Sequence, residues 1–128
     1  MNATSQASPV LAPAPAAVLS KAVVRAARLL GLTQRDVAAA LGISEATTSR
    51  LFAGKYVLSE DRAKEWELAL LLVRLYRSLD ALWGHEETAR RWLASPNLAL
   101  GAAPQELLRT VEGLVRVVAY LDAARSRV

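Results

Sequence analysis

The stretch Leu32-Thr-Gln-Arg-Asp-Val-Ala-Ala-Ala-Leu-Gly-Ile-Ser-Glu-Ala-Thr-Thr-Ser-Arg-Leu-Phe-Ala-Gly54 constrains this chain more than any other. Thr33 and Ser44 each stand directly before a short run with helical spacing. A hydroxyl at either position can accept a hydrogen bond from an otherwise unpaired amide of the next turn. Gly42, just past the last apolar residue of the first run, supplies the left-handed conformation that reverses a chain without a Cβ clash, and Gly54 repeats the device after the second run. The pattern predicts two short helices joined by a tight turn, the layout of a helix-turn-helix. Val37, Ala38, Leu41, Ile43 and Leu51 fall where the helices face each other, and Ala38 is small enough to let their backbones approach. Glu45, Ala46, Ser49 and Arg50 fall on the opposite side, a polar face left free for a partner.

Both caps, the turn glycine, the small residue and the closing glycine agree in register. In this they resemble the Xre/Cro-type helix-turn-helix of phage and bacterial repressors, over residues 20–58. An ordinary alanine-rich helical hairpin is the plainer reading of the same pattern. The resemblance implies operator DNA as a partner, with Arg50, Glu45, Ala46 and Ser49 in the major groove and the Arg50 fork matched to O6 and N7 of guanine. It places Gln34 and Thr47, near helix N-termini, on phosphate oxygens. Charge is consistent with this. Residues 21–60 hold six basic against three acidic side chains, whereas residues 61–128 hold ten against nine. The excess is small, so the resemblance implies a dimer acting on two half-sites.

Around that head the chain excludes several classes. No cysteine is present, which removes disulfide and thiolate chemistry and fits a reducing cytoplasm. His85 stands alone and reads as a polar residue opening a surface helix rather than as a metal ligand. There is no glycine-rich phosphate loop and no catalytic constellation, so neither an enzyme nor a cofactor is expected. Residues 1–19 read as a flexible Ala/Pro-rich tail, since Met1 to Ala17 has few bulky side chains and no charge, and prolines 9, 13 and 15 interrupt any signal-like apolar run. Ala63 to Leu82 looks apolar but carries Lys64, Glu65, Glu67, Arg74, Arg77 and Asp80, which rules out a membrane span.

No strand-like alternation and no internal repeat occur, and the expected class is all-α: a helix-turn-helix domain, then a long helix and a small C-terminal helical bundle. A first helix is expected from Ser20 to Gly31, completing a head over residues 20–58. Ser59, with Glu60 and Asp61 behind it, reads as the cap of a long helix ending at Gly84. Its broad apolar face, with Trp66, Leu70, Val73 and Leu79 flanked by Leu72, Leu75, Tyr76 and Leu82, suits either a second protomer or the chain's own core. Glu86 to Ala94 forms the next helix, stopped by Pro96. Asn97 to Gly101 is an apolar loop expected to be packed, Pro104 opens a short helix, and Thr110 caps the last one.

The succession Ala89-Arg-Arg-Trp-Leu-Ala-Ser-Pro-Asn-Leu-Ala-Leu-Gly101, then Pro104-Gln-Glu-Leu-Leu-Arg-Thr-Val-Glu-Gly113, then Val117 to Leu121, resembles the toxin-binding domain of the Xre/MbcA/ParS antitoxins. It differs in having Ala102 where a second glycine is common, and in its ending Ala124-Arg-Ser-Arg-Val128. The resemblance implies an antitoxin paired with a RES-domain toxin that consumes NAD or transfers from it, blocked through the antitoxin's C-terminal region (59–128) in a hetero-oligomer built on a homodimer. The implied contacts are Leu98, Leu100, Arg109, Arg116, Tyr120, Arg125, Arg127 and Val128. Arg125, Arg127 and the Val128 carboxylate would enter a cleft built for a dinucleotide, or the two arginines would simply complement the last helix dipole. A ligand-responsive repressor without a toxin, or a pure interaction module that does not bind DNA, are the competing functions.

Overall fold

A computed structural model describes residues 14–127. The first helix, α1 (Pro15–Leu30), begins five residues ahead of the expected Ser20. Proline at its first position has no N–H to leave unpaired and a φ already set for the helix. Leu19, Val23, Ala27 and Leu30 then bury one stripe. Ser20 is no cap. Its hydroxyl donates to the Ala16 carbonyl at 2.7 Å and accepts from the Leu58 amide at 2.9 Å, tying α1 to the segment behind the helix-turn-helix. Residues 15–19 thus belong to the folded body rather than the tail; residues 1–13 of that tail lie outside the described residues.

Helices α2 (Gln34–Leu41) and α3 (Glu45–Phe52) form as the caps dictate. Thr33 Oγ1 accepts from the Asp36 amide and Asp36 Oδ2 accepts from the Thr33 amide, both at 3.0 Å, so two orphan donors are satisfied reciprocally. Ser44 Oγ accepts from the Thr47 amide at 3.0 Å. Beyond α3, the Gly54 amide reaches the Leu51 carbonyl and the Lys55 amide reaches the Arg50 carbonyl, with Gly54 at φ 77°, which folds the chain back along the helix it has just left.

The long helix α4 (Ala63–Trp83) starts four residues after Ser59. Ser59 closes a local turn instead, its hydroxyl accepting from the Asp61 amide at 3.2 Å. Arg62 stands at the helix start, held by the Val57 carbonyl at 2.7 Å and by Glu65 at 3.3 Å. Helices α5 (Glu86–Ala94), α6 (Pro104–Leu107) and α7 (Val111–Ser126) complete the chain, and Thr110 caps the last through the Gly113 amide. The described residues form an all-α fold with a helix-turn-helix near its start.

Helix α4 is the shared spine, with α1, α2, α5 and α7 all packed on it. One apolar cluster runs from Leu19 through Leu72 and Leu75 to Leu121, and each fully buried leucine in it contributes about 1.5–3 kcal/mol. The head therefore shares its core with the C-terminal helices. Most of the broad α4 face is covered by this chain, but Leu70 stays half-exposed. Gly113 lies so close to the Leu107 carbonyl that a Cβ would run into it, which fixes how tightly α7 seats on α6.

The loop before α6 only half meets expectation. Asn97 pairs its amide with the Ala102 carbonyl, and its side chain accepts from the Leu100 amide at 3.1 Å. That turn drives Leu100 into the core and leaves Leu98 completely exposed.

Candidate nucleic-acid interface and partner surface

Thr48 and Leu51 anchor the inner side of α3, and Thr48 satisfies its hydroxyl on the Ser44 carbonyl at 2.9 Å. That fixes the outer side: Glu45, Ala46, Ser49 and Arg50 are all exposed. Thr47 is half-buried, its hydroxyl oxygen accepting from the Ser44 hydroxyl at 2.9 Å in the capping cluster. Gln34 is exposed at the first position of α2, the helix packed against α3. Arg35 beside it and Lys55 beyond the glycine turn are exposed cations as well. The arrangement presents a short helix with a guanidinium, small residues and hydroxyls on one accessible side, which suits insertion into a groove.

Sequence reasoning missed Tyr56. The glycine turn brings its ring back alongside α3, where the Arg50 guanidinium carbon lies 6.0 Å from the ring centroid and that of Arg62 lies 5.0 Å away. The phenol donates to Glu65 Oε1 at 2.7 Å. Partial burial, and then the Glu65 carboxylate, push this phenol above its ordinary range. An aromatic two residues past a helix-closing glycine was the available signal.

Asp36 sits inside the interface between the helix-turn-helix and the C-terminal helices, only 5% exposed. Burial pushes its carboxyl up. Hydrogen bonds from Thr33, from Gln105 Nε2 at 3.3 Å and from Arg109 Nη2 at 3.4 Å outweigh that and hold it below its ordinary value.

The residues expected to meet a protein partner stand in different surroundings. Leu98 projects fully, whereas Leu100 is buried and lends only its carbonyl, to Arg116 at 3.1 Å. With its side chain in the core, Leu100 is not a contact residue in this conformation. Arg109 is engaged by Asp36. Tyr120 is half-buried, stacked on Trp92 with centroids 6.0 Å apart, and Trp92 in turn lies 5.6 Å from Trp83. Arg125 donates to the buried Ser78 hydroxyl at 3.1 Å, so it braces α7 on α4. Arg127 is exposed, and Val128 lies outside the described residues. Val111 and Val115, one turn apart on α7, read by spacing as part of that helix's apolar stripe with Leu114, Val118 and Leu121, but those three are buried while the two valines stay nearly half exposed.

Grooves cut this surface as well. Val18, Leu19, Trp66, Leu70 and Val73 line one between α1 and α4, mostly apolar, with Arg74 and Arg77 also in its wall. The second, of about 770 Å³, runs along α1 and α3 and combines Phe52, Tyr56 and Val57 with Lys21, Arg25 and Arg28. Among the described residues no helix is long and apolar enough to cross a membrane.

Two family models match the sequence in tandem. Residues 9–74 match the antitoxin Xre-like helix-turn-helix domain, and residues 78–127 match the antitoxin Xre/MbcA/ParS C-terminal toxin-binding domain. No curated protein matches the chain.

Proposed function

The chain belongs to the Xre-like helix-turn-helix antitoxins, and from that premise we propose that it neutralises a RES-domain toxin acting on NAD while repressing its own operon. The observation that carries the reading is the tandem order of the two matches on one shared core: an exposed recognition face on α3 and a toxin-binding region wrapped on the same α4. DNA is read through Arg50, Glu45, Ala46 and Ser49, with Gln34 and Thr47 on phosphates. Toxin is held through Leu98, through the exposed Val111 and Val115 of α7, and through Arg116, Tyr120 and Arg127, and the toxin's NAD site is covered.

A homodimer supplies the second recognition helix. The groove between α1 and α4, where Val18 and Leu70 are each about half exposed, supports self-association there. We place both activities in the cytoplasm, where operator and NAD both are. The groove beside α3 favours a second reading, a repressor whose DNA binding answers a small amphipathic anion.

The test is co-expression with a RES-domain toxin, the product of a neighbouring gene being the first candidate. Restored growth and restored cellular NAD, together with a gel shift on the promoter of the chain's own gene, are expected. Continued NAD loss despite soluble antitoxin would remove the toxin assignment and leave the repressor.

A further inference from the structure

The contacts of Tyr56 lead from α4 to the recognition helix, and no resemblance or match assigns this residue a role. We infer that Tyr56 is a positioning residue for DNA reading: it is the platform that holds the Arg50 guanidinium ready for a base edge. The inference rests on the proposed reading of Arg50 as a base contact.

Arg50 sits in the last turn of α3, exposed, on a long side chain with several rotatable bonds. Left free, it would lose that rotamer freedom on meeting DNA and so bind less tightly. The ring beneath it reduces the loss. Two backbone hydrogen bonds, Gly54 to Leu51 and Lys55 to Arg50, fold the chain so that residue 56 returns beside residue 50. The ring is fixed from its far end. Its hydroxyl is held by Glu65 Oε1 at 2.7 Å, the same oxygen that takes Arg62 Nε at 3.3 Å, and Arg62 is itself anchored on the Val57 carbonyl. The anchor is on α4 and the cargo is on α3. Because an aromatic face attracts a guanidinium without occupying its N–H donors, the fork remains available to O6 and N7 of a guanine.

The experiment is a double-substitution cycle on full-length protein. It uses fluorescence anisotropy with a labelled duplex of the promoter upstream of the chain's own gene and an unrelated duplex of equal length. Tyr56→Leu is expected to weaken promoter binding about two- to fivefold, with little change on the unrelated duplex. Tyr56→Phe keeps the ring and is expected to bind within twofold of the parent. In an Arg50→Ala background, Tyr56→Leu is expected to cost nothing further. Tyr56→Gln, a polar chain without a ring, runs through the same cycle should the leucine variant lose helical signal.

Equal loss in both backgrounds, or Tyr56→Phe as damaging as Tyr56→Leu, would show that Tyr56 only supports the fold, and the inference would fall. So would an unchanged affinity for Tyr56→Leu. If Arg50→Ala alone leaves promoter affinity intact, the base-contact reading fails first and takes the platform with it, an outcome distinct from the others.

Discussion

Arg109 Nη2 lies 3.4 Å from Oδ1 of Asp36, so a residue of the toxin-binding region holds the carboxylate that caps the first helix of the DNA-binding motif. The two partners are unequal. The Asp36 side chain is 6% exposed and the Arg109 side chain 57% exposed, so solvent weakens the ion pair, while the capping bonds between Asp36 and Thr33 are part-buried. Asp36→Ala should therefore cost about 1–2 kcal/mol, by stranding the Thr33 amide. Arg109→Ala should cost less than about 1 kcal/mol. Urea melts of the two variants measure the ratio; an arginine variant as damaging as the aspartate one would mean that the ion pair, not the cap, sets the stability.

The same carboxyl makes stability pH-dependent. Its folded value lies below the ordinary 3.8, so its contribution is complete above that value and is lost as pH falls through the lower, folded one. Acid unfolding of the parent should thus be steeper than that of Asp36→Asn below about pH 4, and the two profiles should run parallel near neutrality. Parallel profiles throughout would show that Asp36 titrates alike in the folded and unfolded chain.

DNA reading should separate by residue. Arg50→Ala should lose about 1–3 kcal/mol on the promoter and much less on unrelated DNA. Gln34→Ala should weaken both alike, by less. A footprint of parent protein should show two-fold symmetry with half-sites roughly 34 Å apart. Arg50→Ala should still neutralise the toxin, since α3 packs chiefly on α2 and α1 and carries none of the residues proposed to hold the toxin. Uniform loss for Arg50→Ala would move that residue from base to phosphate.

Gly113→Ala should destabilise the fold by about 1–3 kcal/mol, because a Cβ there meets the Leu107 backbone carbonyl rather than a side chain able to turn aside. Thermal melts by circular dichroism measure it. An unchanged midpoint would mean that α6 shifts freely against α7.

Legibility in the sequence tracks the range of the forces involved. Thr33, Ser44, Gly42 and Gly54 act on their own turn, so both helices of the motif and their polar face could be read directly. Ser20 looked like a helix start and Ser59 like a cap, yet Ser20 is buried against Leu58 and Ser59 closes a separate turn, because Pro15 and Arg62 begin those helices instead. Leu98 and Leu100 have the same chemistry, and only the Asn97 turn sends one out and one in. Tyr56 comes against Arg50 through the local glycine turn and could have been read there, whereas its hold on Glu65 of α4 and the pairing of Asp36 with Arg109 depend on how distant elements pack, which no spacing encodes.

The two arginines near the C-terminal end should behave differently from each other. Both were expected either to enter a dinucleotide cleft or to complement the helix dipole, but Arg125 is bound to Ser78 on α4 whereas Arg127 is exposed. Arg125→Ala should accordingly lower the melting temperature, the cost of one hydrogen bond to a charged group being about 1.5–3 kcal/mol at most, with exposure reducing it. Arg127→Ala should leave the melt unchanged and weaken inhibition of NAD turnover by purified toxin. Leu98→Asp should weaken toxin capture itself, since it places a charge where an apolar side chain is fully exposed. Inhibition by Arg127→Ala at parental concentrations, alongside a loss for Leu98→Asp, would place the block at the loop and α7 and leave Arg127 to the helix dipole.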